Sequence, residues 1–164
     1  MSRYIIGIDP GLKGGIAFLS DDGGVISVSS MPSTPSDIYD YLAGLLSHAA
    51  SCGSQMDEPR VVCYLEDVGH GMPGQSSSAT AKFARHCGHL EMALLALRIP
   101  VNTITPAKWM KSYQLGRSGD YTKTEWKNRL KSKAQQLFPQ LGGKVTLSTS
   151  DALLIAEYGR KADG

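Results

Sequence analysis

Two stretches of the chain are almost uninterrupted runs of apolar residues, and each run stops at an acidic residue. Residues 4–8 lead into Asp9, and residues 61–65 lead into Glu66 and Asp67. Apolar runs of this length that are rich in β-branched residues predict strands that are buried on both faces. We therefore predict that Asp9 and either Glu66 or Asp67 lie at the ends of two central strands.

The two acids after the second run differ in direction, because successive side chains of a strand point to opposite faces. Glu66 shares a face with Val62 and Tyr64 and is the preferred site residue, although a shift of the strand end would exchange it for Asp67.

Two interpretations remain open for Asp9. The Pro-Gly pair after it is favourable turn chemistry, so Asp9 either begins a turn or meets a cation at the edge of the core.

Shorter strands are predicted at residues 15–19, 25–30 and 99–104. The Asp-Asp-Gly-Gly sequence at residues 21–24 is typical of a hairpin turn, so the chain opens with three antiparallel strands. Together with the strand that ends at Glu66, these strands predict an α/β domain with a mixed sheet.

Helical spacing of apolar residues predicts a first helix that is capped by Ser36 and a long helix over residues 76–97. The apolar positions of the long helix recur at about 3.5 residues, which is typical of packing against another helix, either of this chain or the same helix of a second chain. His86, Cys87 and His89 lie on this helix, but the first two point about 100° apart. We interpret them as packing residues and not as metal ligands.

The last helix of the chain opens near Ser148 and carries an acid on its apolar side. Asp151 lies on the same side as Leu154 and Ile155, the side that must face the sheet. A carboxylate within a buried stripe needs a partner, unless Asp151 only interacts with the positive end of the helix dipole. Glu157, on the opposite side, is predicted to be an ordinary surface acid.

Length and composition bound the class of protein. The chain has 164 residues, which suits a single domain over residues 1–164 with a core of its own. It has no apolar run of about 18 residues and no basic region followed by an apolar one at its start, so we expect neither a membrane span nor a targeting segment. Its three cysteines, Cys52, Cys63 and Cys87, lack zinc-ligand spacing. They predict reduced thiols in a cytosol-like compartment.

The net charge of +2 hides an uneven distribution. Residues 98–133 carry nine bases and two acids, whereas residues 1–58 carry two bases and seven acids. Aromatic residues are interleaved with the bases, at Trp109, Tyr113, Tyr121 and Trp126. A run of bases is often only the solvated face of a helix, here the helix predicted at residues 123–138. Flat rings among cations nevertheless favour nucleic-acid binding.

Asp9, Glu66 and Asp151 each lie at the end or on the inward side of a predicted core element. Clustered acids repel one another unless cations lie between them, and oxygen ligands without nitrogen or sulfur favour Mg²⁺ or Mn²⁺. Two such ions about 4 Å apart are the standard arrangement for hydrolysing a phosphodiester. Together with the basic aromatic segment, these acids predict a nuclease.

The sequence also resembles a known family over nearly its whole length. Gly-Ile-Asp-Pro-Gly at residues 7–11, Leu-Glu at 65–66 and Asp-Ala-Leu-Leu-Ile-Ala-Glu-Tyr-Gly-Arg at 151–160 are similar to motifs of the RuvC-type Holliday-junction resolvases, within the ribonuclease H-like superfamily. Residues 106–111 and 133–139 are most similar to the bacteriophage and plastid members. The first and last motifs are the specific ones.

The resemblance implies a ribonuclease H-like fold, in which helices flank a mixed five-stranded sheet of three antiparallel strands and then two parallel ones. It implies a homodimer, formed through the helix at residues 76–97, that binds a four-way DNA junction and makes paired, ligatable nicks. Two Mg²⁺ ions, replaceable by Mn²⁺, would be held by Asp9, Glu66 and Asp151. The location implied is the cytoplasm of a bacterial or phage-infected cell, or an organellar stroma.

The chain departs from the family in two places. Members usually have a further Asp or His ligand just upstream of the last acid, whereas residues 146–150 contain neither. Either Ser148 contributes through its hydroxyl or a water, or one ion is held weakly, or the chain is an inactive substituted variant. The loop after the second acid, where members often place an aromatic junction-probing residue, offers His70 and Met72. These residues either wedge against an unstacked base or only fill the loop.

Four lysines are the expected phosphate contacts, namely Lys108, Lys111, Lys123 and Lys127. Two further functions remain open. One is a ribonuclease H-like nuclease that acts on another branched or hybrid substrate. The other is a junction-binding protein that has lost catalysis.

Overall fold

The first predicted strand lies at the centre of the sheet. The computed structural model describes residues 2–52, 58–69 and 74–162. Five strands form one sheet in the order β3-β2-β1-β4-β5, in which β1 is antiparallel to β2, β2 is antiparallel to β3, and β1, β4 and β5 are parallel. The strands are β1 (Arg3–Asp9), β2 (Gly15–Ser20), β3 (Val25–Ser30), β4 (Arg60–Glu66) and β5 (Val101–Ile104). The predicted mixed five-stranded sheet is confirmed.

Within the described residues, five α-helices cover the two faces of this sheet. In chain order they are α1 (Pro35–Cys52), α2 (Ser77–Ala96), α3 (Pro106–Ser112), α4 (Lys123–Leu137) and α5 (Ser150–Ala162). Helices α1 and α2 pack on one face, and α5 packs on the other with α3 and α4 around it. Within the part of the chain that the structure describes, none of these helices has the length and apolar character of a membrane span.

Side-chain caps define where several helices begin. The Thr122 hydroxyl accepts a hydrogen bond from the Glu125 backbone while the Glu125 carboxylate accepts one from the Thr122 backbone, a reciprocal capping box at the start of α4. The prediction that Ser36 caps the first helix is wrong by two residues. Helix α1 begins at Pro35, which lacks a backbone N–H and suits a first helical position, and the Thr34 hydroxyl accepts from the Asp37 backbone at 3.1 Å.

The apolar spacing of α2 serves mainly the chain's own core. Leu90, Ala93 and Leu94 are buried against α1 and the sheet, so this part of the seam is not available to a second chain. The residues of α2 that stay exposed lie on another side of the helix, where Met92 and Leu95 are 60% and 69% exposed. The buried apolar residues of α2 and its exposed apolar residues therefore lie on different faces of the helix.

Helix α5 lies close against β1 because Gly7 has no side chain. A Cβ atom at Gly7 would lie 2.3 Å from the Ala152 carbonyl oxygen and 2.4 Å from the Ala156 nitrogen. The prediction that Glu157 is a surface acid is wrong. Its side chain is only 7% exposed, and its carboxylate accepts hydrogen bonds from the Arg160 guanidinium at 2.7 and 2.9 Å. The reason is that α3 and α4 pack over α5, so most of this helix has no solvent-facing side.

The contact between β1 and α5 is testable by adding one methyl group. We expect Gly7→Ala to lower the free energy of unfolding by about 2 kcal/mol or more, because backbone atoms of α5 occupy the space and cannot yield as a side chain does. Gly44→Ala is the control. No atom lies within 4 Å of a Cβ at that position of α1, and we expect a gain of about 0.5–1 kcal/mol. Urea denaturation measures both, and equal stability of the two variants would contradict the proposed close approach.

Candidate active site

Two acids lie side by side at the ends of the two central strands. The parallel register of β1 and β4 pairs Ile8 with Leu65, so Asp9 and Glu66 come next on adjacent strands. Both side chains point to the face that α5 covers and are 9% and 6% exposed. The Asp67 side chain is exposed and accepts a hydrogen bond from the Gly69 backbone at 3.0 Å. The structure thus places Glu66, and not Asp67, beside Asp9.

The third acid reaches the same place from α5. Asp151 lies in the first turn of this helix and is 2% exposed. Burial raises the pKa of Asp9 to about 8, and the nearby carboxylates of Asp151 and Glu66 add to this effect. Burial also raises the pKa of Glu66, although the hydrogen bond that it accepts from the Trp109 indole nitrogen opposes the change. The three carboxylates therefore form one electrostatically coupled group.

Two neighbours hold oxygens of this group in place. The Trp109 indole N–H donates to Glu66 Oε1 at 2.9 Å. The Lys127 ammonium, from α4, contacts Asp151 Oδ2 as an ion pair. Burial lowers the pKa of Lys127, but the carboxylate of Asp151 outweighs this, and the pKa of the ammonium is raised. The buried acid of α5 thus has its cationic partner, which the sequence analysis assigned to phosphate contacts.

The donor set fits a hard divalent cation, but the ligands are not gathered around a single point. Among residues 2–52, 58–69 and 74–162, no three acidic, imidazole or thiol side chains are placed together to hold a metal ion as they stand. Trp109 and Lys127 each occupy one carboxylate oxygen of the group. Asp151 Oδ1, in contrast, is buried without a hydrogen-bond partner within the described ranges. Carboxylate oxygens are the ligands that Mg²⁺ and Mn²⁺ prefer, so the chemistry of these three acids fits such an ion.

Ser148 belongs to a cluster of hydroxyl groups. Its hydroxyl lies 2.9 Å from that of Ser30 and 2.9 Å from that of Thr146. These contacts tie the segment before α5 to the end of β3. The hydroxyl is therefore already engaged at the position where the resemblance of the sequence implies a further acid or histidine.

A groove of about 680 Å³ opens beside Asp9, between the loop after β1, helix α2 and the start of α4. Two of the predicted phosphate contacts, Lys123 and Lys127, line it together with Lys13 and Lys82, which the sequence analysis missed. Lys13 lies in the glycine-rich loop directly after Asp9, and this position in the sequence could have indicated that it lies near the acid. Lys82 gave no signal, because only the packing of α2 brings it here.

The remaining predicted residues lie elsewhere. Lys108 lines a separate cavity beside β5, and neither it nor Lys111 lines the groove. His70 and Met72 are outside the residues that the structure describes. His86, interpreted as a packing residue, is only partly buried and lines the groove, where its Nε2 atom has no hydrogen-bond partner in the described parts of the chain.

Comparison with known proteins places the fold. No protein-family model matches the chain, and no curated protein sequence matches it significantly. Two solved structures of Thermus thermophilus RuvC are similar over 98% of this chain and 95% of theirs. The one in complex with a Holliday junction substrate has a TM-score of 0.60 at 13% identity, and the other has 0.59 at 14%. The yeast mitochondrial Holliday junction resolvase Ydc2 matches with a TM-score of 0.45 at 16% identity, over 95% of this chain and 75% of that one.

The chain therefore has the RuvC fold, within the ribonuclease H-like class, as its motifs indicated. The greater similarity to bacteriophage and plastid members stays a prediction.

The coupled acids make the stability of the metal-free protein depend on pH. The folded chain keeps a proton on Asp9 up to about pH 8, whereas the unfolded chain releases it near the ordinary value of 3.8. The folded state thus binds more protons between these limits, and the free energy of unfolding falls as the pH rises, by at most about 1.4 kcal/mol per pH unit. Urea denaturation with a chelator present, from pH 5 to pH 8, measures this slope. Asp9→Asn should flatten it, and a wild-type protein that gains stability over this range would contradict the assignment.

Proposed function

We propose that this protein is a structure-selective DNA endonuclease of the RuvC type that resolves four-way junctions by paired nicks. One observation carries the proposal. The buried carboxylates of Asp9, Glu66 and Asp151 form one coupled group at the ends of β1 and β4 and the start of α5, beside a groove lined by lysines. The fold supports it, since RuvC of Thermus thermophilus, which shares this fold, has been solved with a junction substrate.

The reaction is hydrolysis of a phosphodiester. Two Mg²⁺ ions, or Mn²⁺ in their place, supply activation of water and stabilisation of the leaving oxygen when they are bound. Asp9, Glu66 and Asp151 would hold them through carboxylate oxygens. Trp109 fixes the orientation of Glu66 by its hydrogen bond to Oε1. Asp151 would offer its Oδ1 atom, which has no hydrogen-bond partner within the described residues.

The lysines around the groove bind the DNA backbone. Lys123 and Lys127 come from α4, and Lys13 and Lys82 line the same groove from the loop after β1 and from α2. A lysine acts as a point charge towards phosphate, so these contacts position a strand without reading its sequence. Lys108 and Lys111, on α3, would meet more distant parts of a branched substrate. His70 and Met72 remain the proposed probes of the junction centre.

Paired nicks require two active sites, and a four-way junction has approximate twofold symmetry. We assign the second site to a second copy of the chain, which binds through helix α2. The surface that supports this choice is the exposed side of α2 around Met92 and Leu95, with the small residue Gly88 one turn earlier. Exposed large apolar side chains that neighbour one another on a helix favour a helix–helix contact.

A second candidate function is junction binding without catalysis. The observation that favours it concerns Ser148, which stands at the position of a fourth ligand and has no ionisable group. Its hydroxyl is moreover engaged with those of Ser30 and Thr146. The third candidate, a nuclease for another branched or hybrid substrate, shares the acids and differs only in the DNA or RNA that it selects.

The central experiment is incubation of a synthetic four-way junction with the protein, with and without Mg²⁺, followed by mapping of the nicks. We expect symmetric nicks that depend on Mg²⁺. Asp9→Asn should keep junction affinity in Ca²⁺ but lose nicking by more than about 100-fold, beyond the loss typical of a residue that only supports a metal ligand. Asp67→Asn is the matched control and should nick normally, because its side chain is exposed and lies outside the group.

The outcomes separate the three candidates. Binding without nicking in Mg²⁺ or Mn²⁺ would favour the inactive junction-binding protein. Cleavage of an RNA–DNA hybrid in preference to the junction would favour another substrate. A fully active Asp9→Asn protein would remove the basis of the site altogether.

The dimer is tested by changing its proposed contact. Leu95 is 69% exposed, so Leu95→Glu should leave the fold intact while placing a charge in the proposed interface. We expect the wild-type chain to sediment as a dimer and this variant as a monomer. Tyr39→Glu, at an exposed position of α1, is the control and should remain a dimer. A monomeric wild type, or a variant that dimerises as well as the wild type, would exclude this surface.

A further inference from the structure

The carboxylate of Asp151 is divided between two environments. Its Oδ2 atom contacts the Lys127 ammonium, and its Oδ1 atom is buried without a hydrogen-bond partner in the part of the chain that the structure describes. The two side chains are unequally accessible, since that of Asp151 is 2% exposed and that of Lys127 is 38% exposed. The ammonium thus lies at the boundary between the acid group and the groove, which it also lines.

We propose that the Lys127 ammonium holds the place of a second divalent cation, so that the chain without DNA binds one divalent ion and accepts a second only with bound DNA. This inference rests on the proposed function, because it concerns metal binding by the same acids. It assigns to Lys127 the control of metal occupancy in addition to its phosphate contact.

Charge balance is the physical reason. Asp9, Glu66 and Asp151 carry at most three negative charges, and the Lys127 ammonium together with one divalent ion already neutralises them. A second divalent ion would leave two uncompensated positive charges among side chains that are 9%, 6% and 2% exposed. Uncompensated charge in such a site is costly, because few water molecules are available to solvate it.

Occupied ligand atoms lead to the same conclusion. An ammonium on Asp151 Oδ2 denies that oxygen to a metal ion for as long as Lys127 stays in place. The Asp151 Oδ1 atom, which has no hydrogen-bond partner within the described residues, remains available beside the carboxylates of Asp9 and Glu66. One ion can therefore bind while Lys127 stays in place, but a second needs the oxygen that Lys127 occupies.

Bound DNA would supply both the negative charge and the ligand oxygen that a second ion needs. A backbone phosphate in the groove brings negative charge to the acids, and it also offers Lys127 another anion to contact. Because the lysine side chain is long and partly exposed, it can move from Asp151 to the phosphate without a change in the backbone. The second ion then binds where both a freed carboxylate oxygen and a phosphate oxygen are present. Metal occupancy is in this way coupled to the presence of substrate.

The test counts ions and does not depend on catalysis. Electron paramagnetic resonance of free Mn²⁺ gives the number bound per chain without DNA, and we expect one for the wild type. Lys127→Gln keeps a hydrogen-bond donor for Asp151 but removes the charge, so it should bind a second Mn²⁺ at least tenfold more tightly than the wild type does. Lys127→Arg keeps the charge and should bind one ion. Lys123→Gln, the matched control, removes a groove cation that is not paired with Asp151 and should also leave one.

A second measurement needs no variant. Calorimetric titration with Ca²⁺, in the presence of a four-way junction, should show two ions per wild-type chain where the protein alone shows one. Two ions bound to the wild type without DNA would overturn the inference, as would a Lys127→Gln protein that counts like the wild type. If such results accompany normal Mg²⁺-dependent nicking, only the role of Lys127 fails. If the wild type binds no divalent ion and makes no nicks, the inference falls together with the proposed function.

Discussion

The structure depends on keeping three carboxylates together in a place with little access to water. Asp9, Glu66 and Asp151 are each less than a tenth exposed, and their mutual repulsion would separate them if nothing offset it. Three features offset it among the described residues: the proton that burial keeps on Asp9, the indole N–H on Glu66 and the ammonium on Asp151. Under the proposed function, a divalent cation would bind by displacing or rearranging these features.

The architecture brings the acids together through two backbone contacts. The parallel pairing of β1 with β4 sets Asp9 beside Glu66, and the missing side chain of Gly7 lets α5 approach until its first turn reaches them. Helices α3 and α4 then pack over α5 and contribute Trp109 and Lys127. The helices that cover this face of the sheet therefore also supply the partners of the acids, so core packing and site geometry are the same set of contacts.

A groove lies beside this group of acids. Asp9 lines it together with lysines from the loop after β1, from α2 and from α4. A strand in the groove would therefore contact positive charges next to the first acid, which suits a polyanion. The hydroxyl cluster of Ser30, Thr146 and Ser148 joins β3 to the segment before α5.

The sequence by itself determined the elements that carry the acids. Strand and helix periodicities are local, so the ends of β1 and β4 and the inward side of α5 were predictable from neighbouring residues, and with them Asp9, Glu66 and Asp151. Only the tertiary structure decided which residues donate hydrogen bonds to these acids or form ion pairs with them. Lys127 and Trp109 are 24 and 43 positions away from their partners, and no local pattern encodes such a contact. The burial of Glu157 and the place of Lys82 in the groove were missed for the same reason, because both follow from how separate helices pack against one another.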